Sequence, residues 1–236
     1  MRRTILMLGL VVLAAVAVAT TALGGTQGRT ADSAGFSARV DNPWFPLKPG
    51  STYIYVGTKD GKPARDVLRV THRTVTIDGA PCVIVEDALY LSGRLEERTT
   101  DWYTQDSKGN VWYFGEQTSS GLDKKSKPVT TGTWKAGVDG AKPGIYMFGN
   151  PLVGHSAQQE FYKGQAEDHF QVLSLRTAVS VPYISSKVAL LTKEWTPLEP
   201  GVVDHKLYVR GIGTVLEEAV KGGTERLALV SFHRGA

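Results

Sequence analysis

Hydrophobic and polar positions alternate along most of the chain in short stretches. From Ser51 onward, runs rich in Val, Ile, Thr and aromatic residues are separated by turn signals about every 8 to 14 residues, which is typical of a β-sandwich or β-barrel. No apolar stripe of useful length has the 3.6-residue period of a helix. The predicted strands are Ser51 to Gly57, Asp66 to Ile77, Cys82 to Leu91, Leu95 to Gln105, Val111 to Gln117, Thr130 to Lys135, Ser156 to Tyr162, Phe170 to Val181, Lys187 to Thr196, Val203 to Val209, Gly213 to Val220 and Glu225 to His233.

The turns between these strands are short, for example Asp60-Gly61, Ser92-Gly93 and Gly222-Gly223. Short turns join neighbouring antiparallel strands, and no segment is long enough for parallel crossovers. Because twist accumulates, a long meander curls or splits. We therefore predict an all-β fold: an antiparallel meander of about 10–12 strands that forms a barrel or strongly curved half-barrel. At most one short helix is expected, around Gly164 to Asp168.

The strand from Cys82 to Tyr90 is apolar on both of its faces. Cys82, Ile84, Ala88 and Tyr90 share one face with Glu86, and the opposite face carries Val83, Val85 and Leu89 with Asp87. A strand of this kind is covered on both sides. The pattern predicts either a second layer or an enclosed barrel interior.

The N-terminus carries the features of a secretory signal. Arg2 and Arg3 precede an apolar run from Ile5 to Ala19, which ends in small residues. We predict a signal peptide over residues 1–22, a flexible linker over 23–40 and one β domain over 41–236. An uncleaved N-terminal anchor is the alternative, since the run approaches membrane-spanning length. The expected location is secreted, periplasmic or in the cell envelope, with no stable membrane span after cleavage.

The net charge and the number of cysteines limit the partners and the covalent cross-links that can be expected for this chain. The formal net charge of the 236 residues is +4, and it falls to +2 without Arg2 and Arg3. Lys and Arg are scattered, so no nucleic-acid partner is expected. Cys82 is the single cysteine, which excludes an internal disulfide. We expect a monomer stabilised by its core.

Motifs of well-known catalytic and cofactor sites are missing from the sequence. It contains no G-x-S-x-G, no glycine-rich phosphate loop, no H-E-x-x-H and no C-x-x-C pair. We therefore predict no cofactor and no metal. The segment Asp106 to Asn110 resembles a calcium loop only loosely, because Lys108 stands at a ligand position. A hairpin turn explains it better.

A carboxylate and an imidazole are candidates for chemistry in the second half of the chain. Pro197, Pro200 and Gly201 indicate a hairpin loop. If Thr196 pairs with Val203, Glu194 lies opposite His205 on the same face. Such a pair could act as an acid and base or clamp a ligand. The alternative is a cross-strand ion pair or a packed core histidine.

Two further groups of residues are candidate ligand contacts. Asp101 and Trp102 face Trp112 across a hairpin rich in aromatic residues, which suits sugar rings or apolar ligands. Glu160 precedes a loop with two acids and a histidine, Tyr162 to His169. Core packing for the hairpin and a solvated turn for the loop are the alternatives. The candidate ligand-binding residues are thus Asp101, Trp102, Trp112, Glu160, Glu194 and His205; no catalytic residue is assigned.

Three segments resemble an uncharacterised family of secreted bacterial β-rich proteins. They are Asn42 to Gly50 (NPWFPLKPG), Asp101 to Glu116 (DWYTQDSKGNVWYFGE) and Thr192 to Gly201 (TKEWTPLEPG). The similarity extends over essentially the whole chain after the signal. It implies export and a shared β fold, and it carries no known activity.

Three functions are compatible with these observations. The leading hypothesis is an exported β-barrel-like protein that binds a small apolar or amphiphilic ligand. The second is an extracellular hydrolase that uses Glu194 and His205 with Glu160 or Asp101, which requires His205 and at least two of these acids to converge in one cleft. The third is a structural or interaction module of the envelope, which would show an exposed apolar patch.

Overall fold

The computed structural model describes residues 35–121, 129–130 and 132–236. This part of the chain forms fifteen antiparallel strands and contains no α-helix. The strands are β1 (Phe36–Ser37), β2 (Thr52–Lys59), β3 (Lys62–Ile77), β4 (Ala80–Leu91), β5 (Arg94–Asp106), β6 (Val111–Ser120), β7 (Trp134–Lys135), β8 (Lys142–Met147), β9 (Ser156–Gln158), β10 (Glu160–Phe161), β11 (His169–Ser180), β12 (Ser185–Trp195), β13 (Val203–Val209), β14 (Gly213–Lys221) and β15 (Arg226–His233).

The strands form one sheet that curls into a nearly closed barrel. Its order is β10-β8-β6-β5-β4-β3-β2-β15-β14-β13-β12-β11-β9, with β1 paired to β5 and β7 to β6 off this path. Two runs of sequential hairpins are thus joined where β2 pairs with β15, from Thr52↔His233 to Thr58↔Arg226. The two outermost strands, β9 and β10, are separated in sequence by Gln159 alone. The predicted all-β meander is therefore confirmed, and its curvature reaches near-closure.

The barrel begins earlier in the chain than the predicted boundary at residue 41. Phe36 and Ser37 pair with Asp106 and Gln105 of β5, and Val40 is buried and bridged to Leu47. Phe36 and Ser37 thus extend the sheet, and Phe36 packs edge-on against Trp112 and Phe114. The predicted signal peptide and residues 23–34 of the linker lie outside the described residues.

Two strands were missed by the hydrophobic pattern, and β8 has a physical explanation. Pro143 and Gly144 interrupt its apolar run, and both residues weaken a strand prediction. In the structure Pro143 pairs with Glu160, and a Cβ on Gly144 would lie 2.3 Å from the Gln158 carbonyl oxygen. Glycine therefore permits the close approach of backbones near the barrel's seam. Among the other differences, β7 spans only Trp134–Lys135, and a turn replaces the short helix expected near Gly164.

Residues 41–50, here called the end cap, lie across one end of the barrel. The Asn42 side-chain amide donates to the carbonyls of Gly109 (2.8 Å) and Phe148 (3.0 Å), and its Oδ1 accepts from the backbone N–H of Trp44 (2.8 Å). The amide of Gly211 donates to the Pro43 carbonyl at 2.7 Å. Because these contacts reach the β5–β6 and β13–β14 turns, the end cap is fixed from both sides of the barrel.

Candidate ligand-binding cavity

The barrel interior contains a cavity of about 270 Å³. The apolar and aromatic side chains of its wall include Phe45 and Leu47 of the end cap and Tyr53, Tyr55, Tyr103 and Tyr146 from the strands. Its polar wall consists of charged side chains from β2, β3, β4, β5, β6, β13 and β14 and from Glu225, just before β15. The cavity thus has apolar and strongly polar walls.

Acids greatly outnumber bases along the cavity wall. The basic residues are Lys59 and Lys206, and seven acids share the wall with them: Asp66, Asp87, Glu97, Asp101, Glu116, Glu217 and Glu225. The chain as a whole has a net positive charge. The excess of acidic residues in the interior is therefore produced by the fold and is not visible in the overall composition.

Both lysines of the cavity form ion pairs. Lys59 Nζ lies 3.0 Å from Glu225 Oε2, and these side chains keep 22% and 20% of their exposure, so this pair stands at a solvent-reachable part of the wall. Lys206 Nζ lies 2.9 Å from Glu194 Oε2 and 3.7 Å from Glu217 Oε1. Burial opposes the charged form of Lys206, but the two carboxylates raise its pKa well above the ordinary value. Lys206 is consequently a cation already matched by its neighbours.

The remaining five acids, here called the acid cluster, have no basic side chain at ion-pair distance within the described part of the chain. Sheet register brings them together: Asp101 pairs with Glu116, Asp87 with Thr99, and Leu89 with both Asp66 and Glu97. The members of the acid cluster are Asp66, Asp87, Glu97, Asp101 and Glu116.

Burial raises the pKa of every member of the acid cluster, because the charged form loses hydration and faces like charges. The pKa is raised to about 7 for Asp101 and to about 8 for Glu116. Burial is the main cause that raises the pKa of Asp87 well above its usual range, and the neighbouring charge of Asp66 is the second cause. The Tyr113 hydroxyl donates to Asp101 Oδ1 at 2.6 Å and the Thr118 hydroxyl to Glu116 Oε2 at 3.0 Å. The interior is therefore partly protonated at neutral pH.

Glu160 belongs to a separate buried group beside the cavity. Its Oε2 accepts a hydrogen bond from Trp134 Nε1 at 2.7 Å, and Asp168 lies close enough to hydrogen-bond with it. Burial and the charge of Asp168 raise the pKa of Glu160 well above its usual range. Glu160 does not line the cavity, and the contacts with Trp134 and Asp168 fix it in the core.

The other predicted residues lie on both faces of the sheet. Asp101 is buried in the cavity wall, and Glu194 reaches that wall through Lys206. Trp102 alternates with Asp101 and Tyr103 and therefore faces outward, where Lys135 lies over its ring at 5.2 Å. Trp112 donates from Nε1 to Asp106 Oδ2 at 2.9 Å, a contact of the β5–β6 turn. Neither indole lines the cavity.

The predicted pairing of Glu194 with His205 is wrong by one residue. The register is Glu194↔Asp204 and Lys193↔His205, and a one-residue shift moves a side chain to the opposite face. Glu194 points inward to Lys206, whereas His205 lies on the outer face with Lys193 and Glu218. The convergence that a hydrolase would need is therefore not formed by these residues.

Sequence reasoning missed most of the acid cluster. Asp66 and Asp87 lie among apolar inward residues of β3 and β4, so a lone acid on an apolar face is the signal in the sequence, as it shows for Asp87. Glu97 and Glu116 share their inward faces with other polar residues, including Thr99 and Thr118, so no such signal marks them. Within the described ranges, no group of three or more His, Cys, Asp and Glu side chains has a geometry able to hold a metal ion.

Comparisons with known proteins give no family for this chain. No protein-family model matches it, and no curated protein matches it in sequence. One solved structure with a similar fold is a candidate lipoprotein from Parabacteroides distasonis ATCC 8503, with 12% identity and a TM-score of 0.45 over 81% of this chain and 99% of that one. Within the described residues, no helix has the length and apolar character needed to cross a membrane.

Proposed function

We propose that this protein is a binding protein that holds a small amphiphilic ligand inside its β-barrel. The observation that carries the proposal is the interior cavity of about 270 Å³ with apolar and charged walls. Ligand pockets usually measure about 300–1,000 Å³ and combine apolar walls with a few polar groups. The volume of this cavity lies just below that range and therefore suits a small ligand.

The composition of the wall supports an amphiphile over a purely apolar ligand. Phe45, Tyr53 and Tyr103 offer buried aromatic surface to the apolar part of a ligand. The polar part of the ligand would meet carboxylates and phenol groups of the same wall. A fully apolar ligand would leave buried polar groups without hydrogen bonds, which costs about 1–3 kcal/mol for each group. A ligand with one polar end avoids that cost.

Export of the protein is part of the proposal. Its support is the arginine pair and apolar run at the N-terminus, together with a barrel that has one free buried cysteine and needs no reducing compartment. A carrier or sensor of a small extracellular or envelope compound fits this setting. The resemblance of three segments to secreted bacterial proteins supports the same location.

Blocking the cavity tests the proposal. Leu68 lines the cavity, and Leu68→Trp fills part of it; Val56 is 44% exposed on the outer surface of β2, so Val56→Trp is the matched control. Binding of a fluorescent amphiphile is titrated against both variants and the parent protein. We expect Leu68→Trp to lose binding by about tenfold or more while Val56→Trp retains it. Equal binding by all three proteins would place the site elsewhere.

A further inference from the structure

The charges of the cavity identify the kind of polar group that it accepts. Seven acids and two lysines line the wall, and each lysine is within ion-pair distance of a carboxylate. An anionic ligand would meet excess negative charge and no unmatched cation among the described residues. A cationic ligand would meet the five members of the acid cluster.

Asp66 and Asp87 form the most crowded pair of the acid cluster. Both residues line the cavity, and both keep part of their exposure. The carboxyl of Asp87 faces Asp66, so at neutral pH the two can share one proton. A buried carboxylate that lacks a positive partner is costly, and a ligand N–H⁺ would supply both the charge and the hydrogen bond.

The aromatic wall favours an organic cation over a metal ion. Tyr53, Tyr55 and Tyr103 line the same cavity as the acid cluster, and aromatic rings attract organic cations through their faces while packing against an apolar body. The described carboxylates do not form a metal-binding geometry. Shape and charge together therefore fit an ammonium group attached to a small apolar body.

We infer that the cavity selects a small organic amine, bound as its ammonium ion by the acid cluster with its apolar part against the tyrosines and the end cap. This inference rests on the proposed binding function and specifies its ligand class. The Asp66–Asp87 carboxyls receive the ammonium group. Asp101 and Glu116, already held by Tyr113 and Thr118, form the second half of the negative wall.

Calorimetric titration with three probes of one shape tests the inference: benzylamine, benzyl alcohol and benzoate at pH 7.5, with calcium chloride as a fourth. Benzylamine is expected to bind at least about tenfold more tightly than the alcohol, since a hydrogen bond between charged groups is stronger than one between neutral groups. Benzoate and calcium are expected to bind more weakly still. The parent protein is used with its full mature chain.

Variants of the wall separate charge from fold. Asp66→Asn and Asp101→Asn keep the size of each side chain and replace its carboxyl with an uncharged amide, and both are expected to lower benzylamine affinity about tenfold. Because they also remove repulsion among buried acids, they should fold at least as stably as the parent protein in a thermal melt. The matched control is Glu218→Gln. Glu218 is half-exposed on the outer face of the sheet and pairs with Arg226, so this variant should bind benzylamine normally.

The outcomes distinguish the two proposals. Equal affinity for benzylamine and benzyl alcohol, tighter binding of benzoate, or tighter binding of calcium would overturn the amine inference and leave the binding function standing. Unchanged benzylamine affinity in both cavity variants would also overturn it. Failure of every probe to bind would overturn the amine inference together with the proposed function for ligands of this size.

Discussion

Lys206 illustrates how a charged residue is kept inside this barrel. It lies between Glu194 and Glu217, keeps 16% of its side-chain exposure, and has the ring of Tyr146 6.0 Å from its Nζ. Burying a charge is costly unless an opposite charge and hydrogen bonds compensate for it. Tyr208 and Thr192 also donate to Glu194 Oε1, at 3.2 and 3.1 Å. The group is thus a complete buried network.

Removing Lys206 is expected to leave two carboxylates in the interior without their cation. Lys206→Met should therefore lower the free energy of unfolding by about 3 kcal/mol at pH 7.5, measured by urea denaturation. Arg73→Met is the control, because its pair with Glu86 is mostly exposed (62% and 45%) and should contribute less than about 1 kcal/mol. Equal effects of the two substitutions would show that the Lys206 network is not a compensated buried group.

The end cap is the element whose sequence most directly explains its structure. Asn42 is buried and forms hydrogen bonds in two directions, to the turn that carries Gly109 and to its own following residues. Gln105 Oε1 accepts from the backbone amides of Asp41 and Asn42 at 2.9 and 2.8 Å. The end cap and the β5–β6 hairpin therefore interlock at one end of the barrel.

Asn42→Ala is expected to release the end cap. The substitution leaves the Trp44 amide and two carbonyls without their side-chain partner, at a cost of about 2–3 kcal/mol in unfolding free energy. Hydrogen exchange should show faster exchange of the Trp44 amide than in the parent protein. Asp41→Ala, at the neighbouring exposed position, should change stability by less than about 1 kcal/mol. A stable Asn42→Ala protein with a protected Trp44 amide would contradict this role.

Strand positions were predictable to within a few residues where periodicity was strong, as for β4, β11 and β13. Strand positions were not predictable where proline or glycine interrupts the hydrophobic pattern, as in β8, where Gly144 allows two backbones to approach closely. The site was harder. The sequence analysis names Asp101 and Glu194 as candidates, and both lie inward. The residue opposite Glu194 depends on the register of β12 and β13, and the sequence does not determine the exact length of the loop between them. The acid cluster depends on the register of four adjacent strands, β3 to β6, which no single stretch of sequence determines.

At the scale of the whole molecule, the barrel concentrates acidic groups in its interior. Burial raises the pKa to about 7 for Asp101 and Glu217 and to about 8 for Glu116, whereas the unfolded values are about 4. The folded protein therefore binds more protons than the unfolded chain between about pH 4 and pH 8. Stability gained from these groups is present at the acid side and lost as pH rises through this window.

We expect the melting temperature of the ligand-free protein to fall as pH is raised from 5 to 8, by several degrees in a calorimetric scan. Asp101→Asn combined with Glu116→Gln should flatten this dependence, because neither replacement titrates. Glu217, with a pKa raised to about 7, and Asp204, partly buried on β13 with a pKa raised to about 6, should leave a smaller slope in the double variant. A melting temperature that rises over this range would contradict the raised pKa values of the interior.

The central claim is that the acid-lined cavity of this barrel carries a small ligand. Native mass spectrometry of the protein recovered from cells that make it naturally, followed by denaturation, tests this claim most directly. The account predicts a complex heavier than the mature chain that releases one small organic base, with Leu68→Trp protein recovered at the mass of the chain alone. The claim would be contradicted if the parent protein, like Leu68→Trp, were recovered at the mass of the chain alone with no bound compound.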